Sequence, residues 1–274
     1  MTMPPTPPRK GIILAGGSGP RLWPITRGVS KPLLPVFDKP MIYYPLSVLM
    51  LAGIREIAVI TTPEDQDQFR RLLGDGARWG LRLAYIEQPA PEGLAQAYLL
   101  AEDFLAGSAS VMVLGDNIFF GDGLPDLLAR AWARTTGGTV FGYWVADPER
   151  YGVVDFDAAG QVRALVEKPE RGFTPSARGE LEIVTLLESY LAEGALTVET
   201  MGRGFAWLDT GTHDSLLDAG NFVRTLEARQ GQQIGSPDEI AHELGWIDDA
   251  RLATRAALFA KTAYGAYLHG LLEQ

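Results

Sequence analysis

The sequence predicts an α/β fold, a doubly wound mixed sheet with helices on its faces. Two observations predict it: short apolar runs typical of buried strands alternate with longer segments of helical length through the first half of the chain, and period-two alternation follows in the second half. Strands that alternate with helices pack as parallel strands joined by right-handed crossovers. We therefore expect a Rossmann-like parallel core, an antiparallel extension and C-terminal helices.

The elements follow in this order along the chain. Residues 1–10 are proline-rich and predict a flexible tail ahead of a single domain, 11–274. The strands predicted in the first half are 11–15, 56–61, 81–86 and 110–116, and the helices are 40–54, 64–76, 93–105 and 124–135. In the second half we predict strands at 139–146, 151–157, 161–169, 196–201 and 205–208, and helices near 179–192 and from 213 to the end.

Composition excludes several classes of protein. The 274 residues carry no cysteine and three histidines, which excludes disulfides and thiolate chemistry and leaves little for a histidine-built metal site or a catalytic triad. A net charge of -10 argues against general nucleic-acid binding. No apolar run is long enough for a membrane helix, and no signal peptide precedes the first strand, so we expect a cytoplasmic protein with neither nucleic acid nor membrane as partner.

A glycine-rich loop, LAGGSGPRLWP, follows the first predicted strand. Backbone N–H groups at that edge of a parallel sheet commonly hold phosphate. The spacing matches neither G-x-G-x-x-G nor the Walker pattern, so a tight turn without a ligand stays open as an interpretation. Arg21 and Lys31 favour an anion, because two cations near the loop otherwise have little structural purpose.

Two aspartates end other predicted strands. Asp116 lies in GDN and Asp209 in LDTGT, and two carboxylates that converge at one sheet edge can hold Mg²⁺ with a nucleotide's phosphates. Either residue alone is as well explained as a turn former or helix cap. Lys168 and Arg178 could equally belong to a solvated surface. We interpret His213 as a residue at a helix start.

Several longer motifs carry a resemblance that runs from about residue 10 to the C-terminus. They occur in the order LAGGSGPRL, SKPLLPVFDKPMIYYPLS, QPAPEGLAQA, LGDNIF, DPERYGVVDFD, EKP, PSARGELEI and GRGFAWLDTGTHDSLLDAGNFV. The chain resembles the glucose-1-phosphate thymidylyltransferase family of sugar nucleotidyltransferases. The resemblance implies transfer of a thymidylyl group from dTTP to glucose 1-phosphate with release of pyrophosphate, as the first step of dTDP-rhamnose synthesis. It also implies Mg²⁺ and a homotetramer, commonly with feedback regulation.

The resemblance further implies roles for individual residues. Arg21, Lys31 and Lys168 are the implied catalytic cations. The implied nucleotide-binding residues are Leu14, Ala15, Gly16, Gly17, Ser18, Gly19, Gln88 and Gly93, with Gln88 reading the thymine edge. The implied sugar-phosphate residues are Asn117, Tyr151, Gly152, Glu167, Lys168 and Arg178. Asp116 and Asp209 are the implied Mg²⁺ ligands.

This chain departs from the family at two places. Pro20 replaces a threonine, which removes a hydroxyl and a backbone N–H from the loop. Near 169–175 a segment that carries a strand in relatives is shortened, so neighbouring strands must pair anew or leave an edge open. An alternative function is therefore a catalytically impaired nucleotide-binding homologue that acts as a regulatory or partner subunit. A dinucleotide-dependent oxidoreductase is a further alternative, although its glycine spacing is lacking.

Overall fold

A computed structural model describes residues 9–17, 19–167 and 183–273. The strands in these ranges are β1 (Lys10–Leu14), β2 (Pro35–Val36), β3 (Lys39–Pro40), β4 (Glu56–Thr61), β5 (Arg82–Glu87), β6 (Ser110–Leu114), β7 (Asn117–Gly121), β8 (Gly138–Tyr143), β9 (Gly152–Phe156), β10 (Val162–Glu167), β11 (Leu196–Met201) and β12 (Phe205–Asp209). The helices are α1 (Tyr43–Leu51), α2 (Gln66–Leu73), α3 (Gln96–Leu100), α4 (Glu102–Leu105), α5 (Leu124–Trp132), α6 (Ile183–Ala192), α7 (His213–Gln230), α8 (Pro237–Glu243), α9 (Asp249–Leu258) and α10 (Ala263–Leu271).

The chain divides into two compact units. The first comprises Met1–Pro91, Leu100–Phe120 and Trp207–Gln274, and the second comprises Glu92–Leu99 and Gly121–Ala206. Of the predicted tail, Lys10 belongs to β1, whereas residues 1–8 lie outside the described part of the chain.

A four-stranded parallel sheet forms the centre of the first unit, in the order β5-β4-β1-β6. The apolar residues of β1 and β4 are buried on both faces, which is why these strands read as continuous hydrophobic runs. From β1 the chain builds outward to β4 and β5, and then returns to the other side of β1 to add β6. This reversal is the doubly wound arrangement that the alternating elements predict.

Helices pack against this sheet and form an apolar core with it. Seven consecutive apolar or small residues of α1, Tyr44 to Met50, are buried, and Trp79 is fully buried with its ring edge-on to Tyr43 at 5.6 Å between centroids. The helix predicted over 93–105 is interrupted at Ala101, so that it forms two short helices, α3 and α4. The other helices of the first half are confirmed, with ends that differ from prediction by a few residues.

A hairpin of β2 and β3 packs against α7 beside this sheet. Together with Leu22, Met41 and Ile118 these elements form a second buried apolar cluster in the first unit. The start of α7 follows the sequence prediction, because Thr212 forms a capping box with Ser215 and His213 is the first helical residue.

The second unit contains two strand pairs. Strands β9 and β10 form the predicted antiparallel hairpin, with Gly152 opposite Glu167. Strand β8 differs from our expectation of one antiparallel extension, because it pairs in parallel with β11 and not with β9. Helix α6 packs on β10 and β11; it begins at Ile183, and the residues predicted to start it, 179–182, lie outside the described ranges.

The C-terminal helices α8, α9 and α10 close the first unit around a buried carboxylate. Asp238 is fully buried; its two oxygens accept hydrogen bonds from Arg255 Nε at 2.6 Å and the Tyr264 hydroxyl at 2.9 Å. Burial of a charge is tolerated only when it is paired in this way. In the described part of the chain, no helix is long and apolar enough to cross a membrane.

Candidate active site

The carboxyl ends of β1 and β6 lie side by side, at the point where the strand order reverses. The backbone N–H of Gly115, just after β6, donates to the carbonyl oxygen of Leu14 at 2.8 Å. Open α/β sheets bind their ligands in the crevice at such a switch point. The glycine loop after β1 and Asp116 after β6 are therefore brought to the same edge, as the sequence predicts.

The glycine loop turns sharply after Ala15. Gly17 and Gly19 have φ angles of 112° and 52°, which side chains disfavour, while Ser18 lies outside the described residues. Pro20 is the first residue of a short 3-10 helix that ends at Leu22. An N–H at the first position of a helix has no intrahelical acceptor, so the proline costs the helix itself no hydrogen bond.

Lys31 and Asp116 form an ion pair in this crevice. Lys31 Nζ lies 2.5 Å from Asp116 Oδ2, and the lysine side chain is 10% exposed. The lysine begins a second short 3-10 helix, Lys31–Leu33. Partial desolvation strengthens the electrostatic attraction and holds the ammonium group at the end of β6.

Asp209 ends β12, which pairs with β7. The next residue, Thr210, is fully buried and its hydroxyl donates to the Asp116 carbonyl oxygen at 2.9 Å. The two carboxylates predicted to bind metal are thus carried by backbone segments that this hydrogen bond joins, next to the paired strands β7 and β12.

Asn117 begins β7 and is almost fully buried. Its side-chain oxygen accepts a hydrogen bond from Trp207 Nε1 at 3.1 Å, and the Trp207 ring stacks on Phe119 with centroids 6.4 Å apart. This contact orients the Asn117 carboxamide, to which the family resemblance assigns a sugar-binding role.

Arg21 lies against Gly211. A Cβ atom added to Gly211 would lie 3.2 Å from Arg21 Nη2 and 3.4 Å from Cζ. The guanidinium group therefore rests on the backbone that immediately follows Asp209 and Thr210, and a side chain at Gly211 would crowd it.

Gln88 follows β5 and is buried, with its backbone N–H bonded to the Thr61 carbonyl oxygen at 2.7 Å. A Cβ atom on Gly16 would lie 2.2 Å from Gln88 Oε1. The predicted base-reading carboxamide and the predicted phosphate loop are consequently in direct contact.

The remaining predicted residues belong to the second unit or to undescribed segments. Gly93, Tyr151 and Gly152 lie in the second unit; Tyr151 is half-buried and Gly152 begins β9. The backbone of Glu167 ends β10. Lys168 and Arg178 lie outside the described residues. The predicted site residues of the first unit are Leu14, Ala15, Gly16, Gly17, Ser18, Gly19, Arg21, Lys31, Gln88, Asp116, Asn117 and Asp209.

Sequence reasoning missed Thr210 and Gly211 as parts of this site. Both stand in the quoted LDTGT motif, directly after Asp209, and that proximity was the available signal. Their contacts with Asp116 and Arg21 join residues 94 and 190 positions apart, which local patterns do not reveal.

The donor set suits a hard divalent cation that a bound nucleotide would help to hold. Asp116 and Asp209 would contribute carboxylate oxygens, and Mg²⁺ is commonly bound by one or two carboxylates together with substrate phosphates. Within the described ranges no three His, Cys, Asp or Glu side chains are grouped as an all-protein metal site. The chemistry of these two carboxylates therefore fits a divalent cation that the phosphates of a bound nucleotide would also ligate.

Comparison with known proteins gives consistent matches. The nucleotidyl transferase family model matches residues 10–174 and 171–225. A glucose-1-phosphate thymidylyltransferase of Xanthomonas campestris pv. campestris (strain B100) is 56% identical, over 97% of this chain and 98% of that protein. One of Mycolicibacterium smegmatis is 53% identical, over 97% and 99% of the two chains.

Two solved structures share the fold. A crystal structure from Bacillus anthracis, assigned as a glucose-1-phosphate thymidylyltransferase in complex with sucrose, has a TM-score of 0.71 and 37% identity, over 79% of this chain and 95% of that one. A UDP-glucose pyrophosphorylase with UDP-glucose has a TM-score of 0.67 over 80% of this chain and 99% of that one; at 19% identity it supports the fold alone.

The same comparisons bear on chain length. The Xanthomonas alignment runs over 288 positions, more than the 274 residues of this chain, so it includes positions that this chain lacks. The two ranges that match the family model overlap at residues 171–174, within the segment that we expect to be shortened.

Proposed function

Because the chain belongs to the nucleotidyl transferase family, we propose that it transfers a thymidylyl group from dTTP to α-D-glucose 1-phosphate, giving dTDP-glucose and pyrophosphate. The observation that carries this proposal is the convergence of the glycine loop, Lys31 and Asp116 at the switch point of the sheet. The resemblance to glucose-1-phosphate thymidylyltransferases is confirmed by relatives 48–56% identical. This reaction is the first step of dTDP-rhamnose synthesis. The experiments below test whether dTTP and glucose 1-phosphate are its substrates.

The proposed reaction is an in-line displacement. A phosphate oxygen of glucose 1-phosphate attacks the α-phosphorus of dTTP, the bond from that phosphorus to the β-phosphate bridging oxygen breaks, and pyrophosphate leaves with the electron pair. The attacking oxygen is already anionic, so no general base is required. Catalysis then depends on positioning and on neutralising charge, which suits a chain without cysteine.

Two cations of the first unit serve this chemistry. We assign Arg21 to the triphosphate, Lys31 to the phosphate being transferred, and the glycine loop of residues 16–19 to the phosphates through its backbone N–H groups. Gln88 pairs with the thymine edge, and Gly93 contributes a backbone contact. Asn117, Tyr151, Gly152 and Glu167 bind the sugar hydroxyls, while Lys168 and Arg178 bind its phosphate.

Family membership indicates a divalent cation, and we propose that it is Mg²⁺ held by Asp116 and Asp209. When bound, Mg²⁺ would neutralise charge on the phosphates of the nucleotide. The role of the protein is to keep both carboxylates at the sheet edge, where the Lys31 ammonium already balances one of them. We further propose that residues 11–274 work as one nucleotidyltransferase domain within a homotetramer.

Pyrophosphate release from dTTP and glucose 1-phosphate tests the proposal, and titration calorimetry with dTTP should accompany it. We expect Mg²⁺-dependent turnover that Asp116→Asn abolishes. Binding of dTTP without turnover would favour the non-catalytic partner-subunit alternative, and absence of dTTP binding would contradict both. Light scattering after size-exclusion chromatography tests the tetramer.

The names of the relatives support the enzyme over the impaired homologue. The shortened segment makes the sugar side the part to probe. Glucose 1-phosphate should therefore be compared with other hexose 1-phosphates at fixed dTTP. A fluorescence titration with NADH, expected to show no binding, addresses the oxidoreductase alternative.

A further inference from the structure

Thr210 joins the two segments that carry Asp116 and Asp209. It follows Asp209 directly, is fully buried, and its hydroxyl donates to the carbonyl oxygen of Asp116 at 2.9 Å. The same hydroxyl oxygen lies 3.1 Å from Met41 Sδ, a weak acceptor, so the carbonyl is the stronger partner. The two segments are 93 residues apart in the chain.

Asp116 is consequently held through both its side chain and its backbone. Lys31 holds its carboxylate at 2.5 Å, and Thr210 holds its backbone carbonyl. The direction of a side chain follows the orientation of its own peptide units, so the carbonyl contact limits where the Asp116 carboxylate can point. Asp209 is coupled to the same contact because its carbonyl carbon is bonded to the Thr210 nitrogen.

We propose that Thr210 is a positioning residue, which sets Asp116 and Asp209 as a pair for the divalent cation that accompanies the nucleotide. This inference rests on the proposed function. Thr210 touches neither carboxylate in the contacts seen; it acts through the backbone of Asp116. Groups that orient metal ligands from outside the coordination sphere typically change metal affinity by about 10- to 100-fold when they are lost.

Three variants separate the hydroxyl from the volume that it occupies. Thr210→Val keeps the shape and removes the donor, whereas Thr210→Ser keeps the donor. Ser47→Ala is the matched control, because the buried Ser47 hydroxyl in α1 has no hydrogen-bond partner among the described residues. If Thr210→Val fails to fold, Thr210→Ala replaces it, and circular dichroism establishes which variant is folded.

The primary measurement is Mn²⁺ binding, monitored through the decrease in the electron paramagnetic resonance signal of free Mn²⁺. The samples contain dTTP but no sugar phosphate. We expect Thr210→Val to weaken Mn²⁺ binding about tenfold or more, while Thr210→Ser and Ser47→Ala stay within about twofold of wild type. The Mg²⁺ concentration for half-maximal pyrophosphate release should rise in parallel, with the KM for glucose 1-phosphate unchanged.

The outcomes separate this inference from the proposed function. Wild-type Mn²⁺ affinity in folded Thr210→Val, or an equal loss in Thr210→Ser, overturns the positioning role whether or not the wild type turns over. If the wild type is inactive but Thr210→Val binds Mn²⁺ more weakly than the wild type does, the proposed reaction is overturned and the positioning role is retained.

Discussion

Lys31 Nζ and Asp116 Oδ2 lie 2.5 Å apart, across 85 residues of chain, at the edge of the sheet where the glycine loop begins. The pair brings together, in one partly desolvated crevice, a cation predicted to bind phosphate and a carboxylate predicted to bind the metal ion. It shows that the crevice between β1 and β6 contains both signs of charge. Replacement of either residue should therefore affect the site more than the fold.

Lys31→Met should lower kcat for pyrophosphate release by about 100- to 1,000-fold, since it removes a preorganised positive charge from the transferred phosphate. Steady-state kinetics with dTTP and glucose 1-phosphate provide the measurement. Lys10→Met is the matched control, because Lys10 begins β1 at the amino end of that strand, away from the crevice, where its Nζ donates to the Phe104 carbonyl oxygen at 2.6 Å. Equal activity in both variants would contradict the assignment of Lys31.

Gly211→Ala should raise the KM for dTTP several-fold, because the added methyl group would crowd the Arg21 guanidinium at 3.2 Å. A double-mutant cycle tests the route of the effect: in an Arg21→Ala background, Gly211→Ala should have little further effect. Gly220→Ala in α7 is the control, since its nearest neighbour would be Phe37 N at 3.7 Å. Additive losses in the cycle would mean that Gly211 acts independently of Arg21.

Gly16→Ala should weaken the preference for dTTP over dCTP. A Cβ atom there would lie 2.2 Å from Gln88 Oε1, so the carboxamide must move away from the base edge that it reads. The ratio of kcat/KM values for the two nucleotides is the measurement. Gly28→Ala, where nothing lies within 4 Å of the added atom, should leave the ratio unchanged. An unchanged ratio in Gly16→Ala would show that Gln88 does not discriminate through this contact.

Lys39→Met should lower the free energy of unfolding by about 3–5 kcal/mol, because it leaves a buried carboxylate unpaired. Lys39 is 3% exposed and lies 2.9 Å from Glu227 Oε1, with Asp38 and Gln233 also accepting from it. Urea denaturation measures the change. The exposed pair of Arg82 and Glu56, 3.5 Å apart, provides the comparison, and Arg82→Met should cost less than about 1 kcal/mol.

Stability should fall as the pH rises through neutrality, because of Glu239. Burial raises the pKa of this carboxyl to about 7, and a hydrogen bond from the Tyr267 hydroxyl opposes the rise. Glu243 and Glu227 raise the pKa further, and Lys39 lowers it. The folded protein thus holds a proton that the unfolded chain releases at lower pH. This contribution is complete below the ordinary pKa of 4.5 and is lost through pH 7.

Glu239→Gln removes this titration. The free energy of unfolding of the variant, relative to wild type, should therefore increase between about pH 5 and pH 8. Urea denaturation at several pH values measures it, with the exposed Glu64→Gln as control. A constant difference across this range would argue against proton uptake by Glu239.

Local sequence patterns predicted most elements of the first unit correctly. The apolar runs of β1 and β4 are continuous because both faces of these strands are covered, and such runs are visible in the sequence without knowledge of the neighbouring strands. The expected antiparallel pairing of β8 is wrong, because an alternating pattern indicates a strand without indicating which strand lies beside it. Its parallel partner, β11, comes more than 50 residues later.

The sequence by itself determined the α/β class, the place of the glycine loop after the first strand, and the candidate cations and carboxylates, since these depend on residue type and short-range periodicity. Only the tertiary structure decided that Lys31 meets Asp116, that Thr210 bonds the Asp116 backbone, and that Gly16 and Gly211 lie against Gln88 and Arg21. The physical reason is that these contacts join distant segments at the carboxyl edge of one sheet, and strand order and side-chain packing, not local propensity, bring them together.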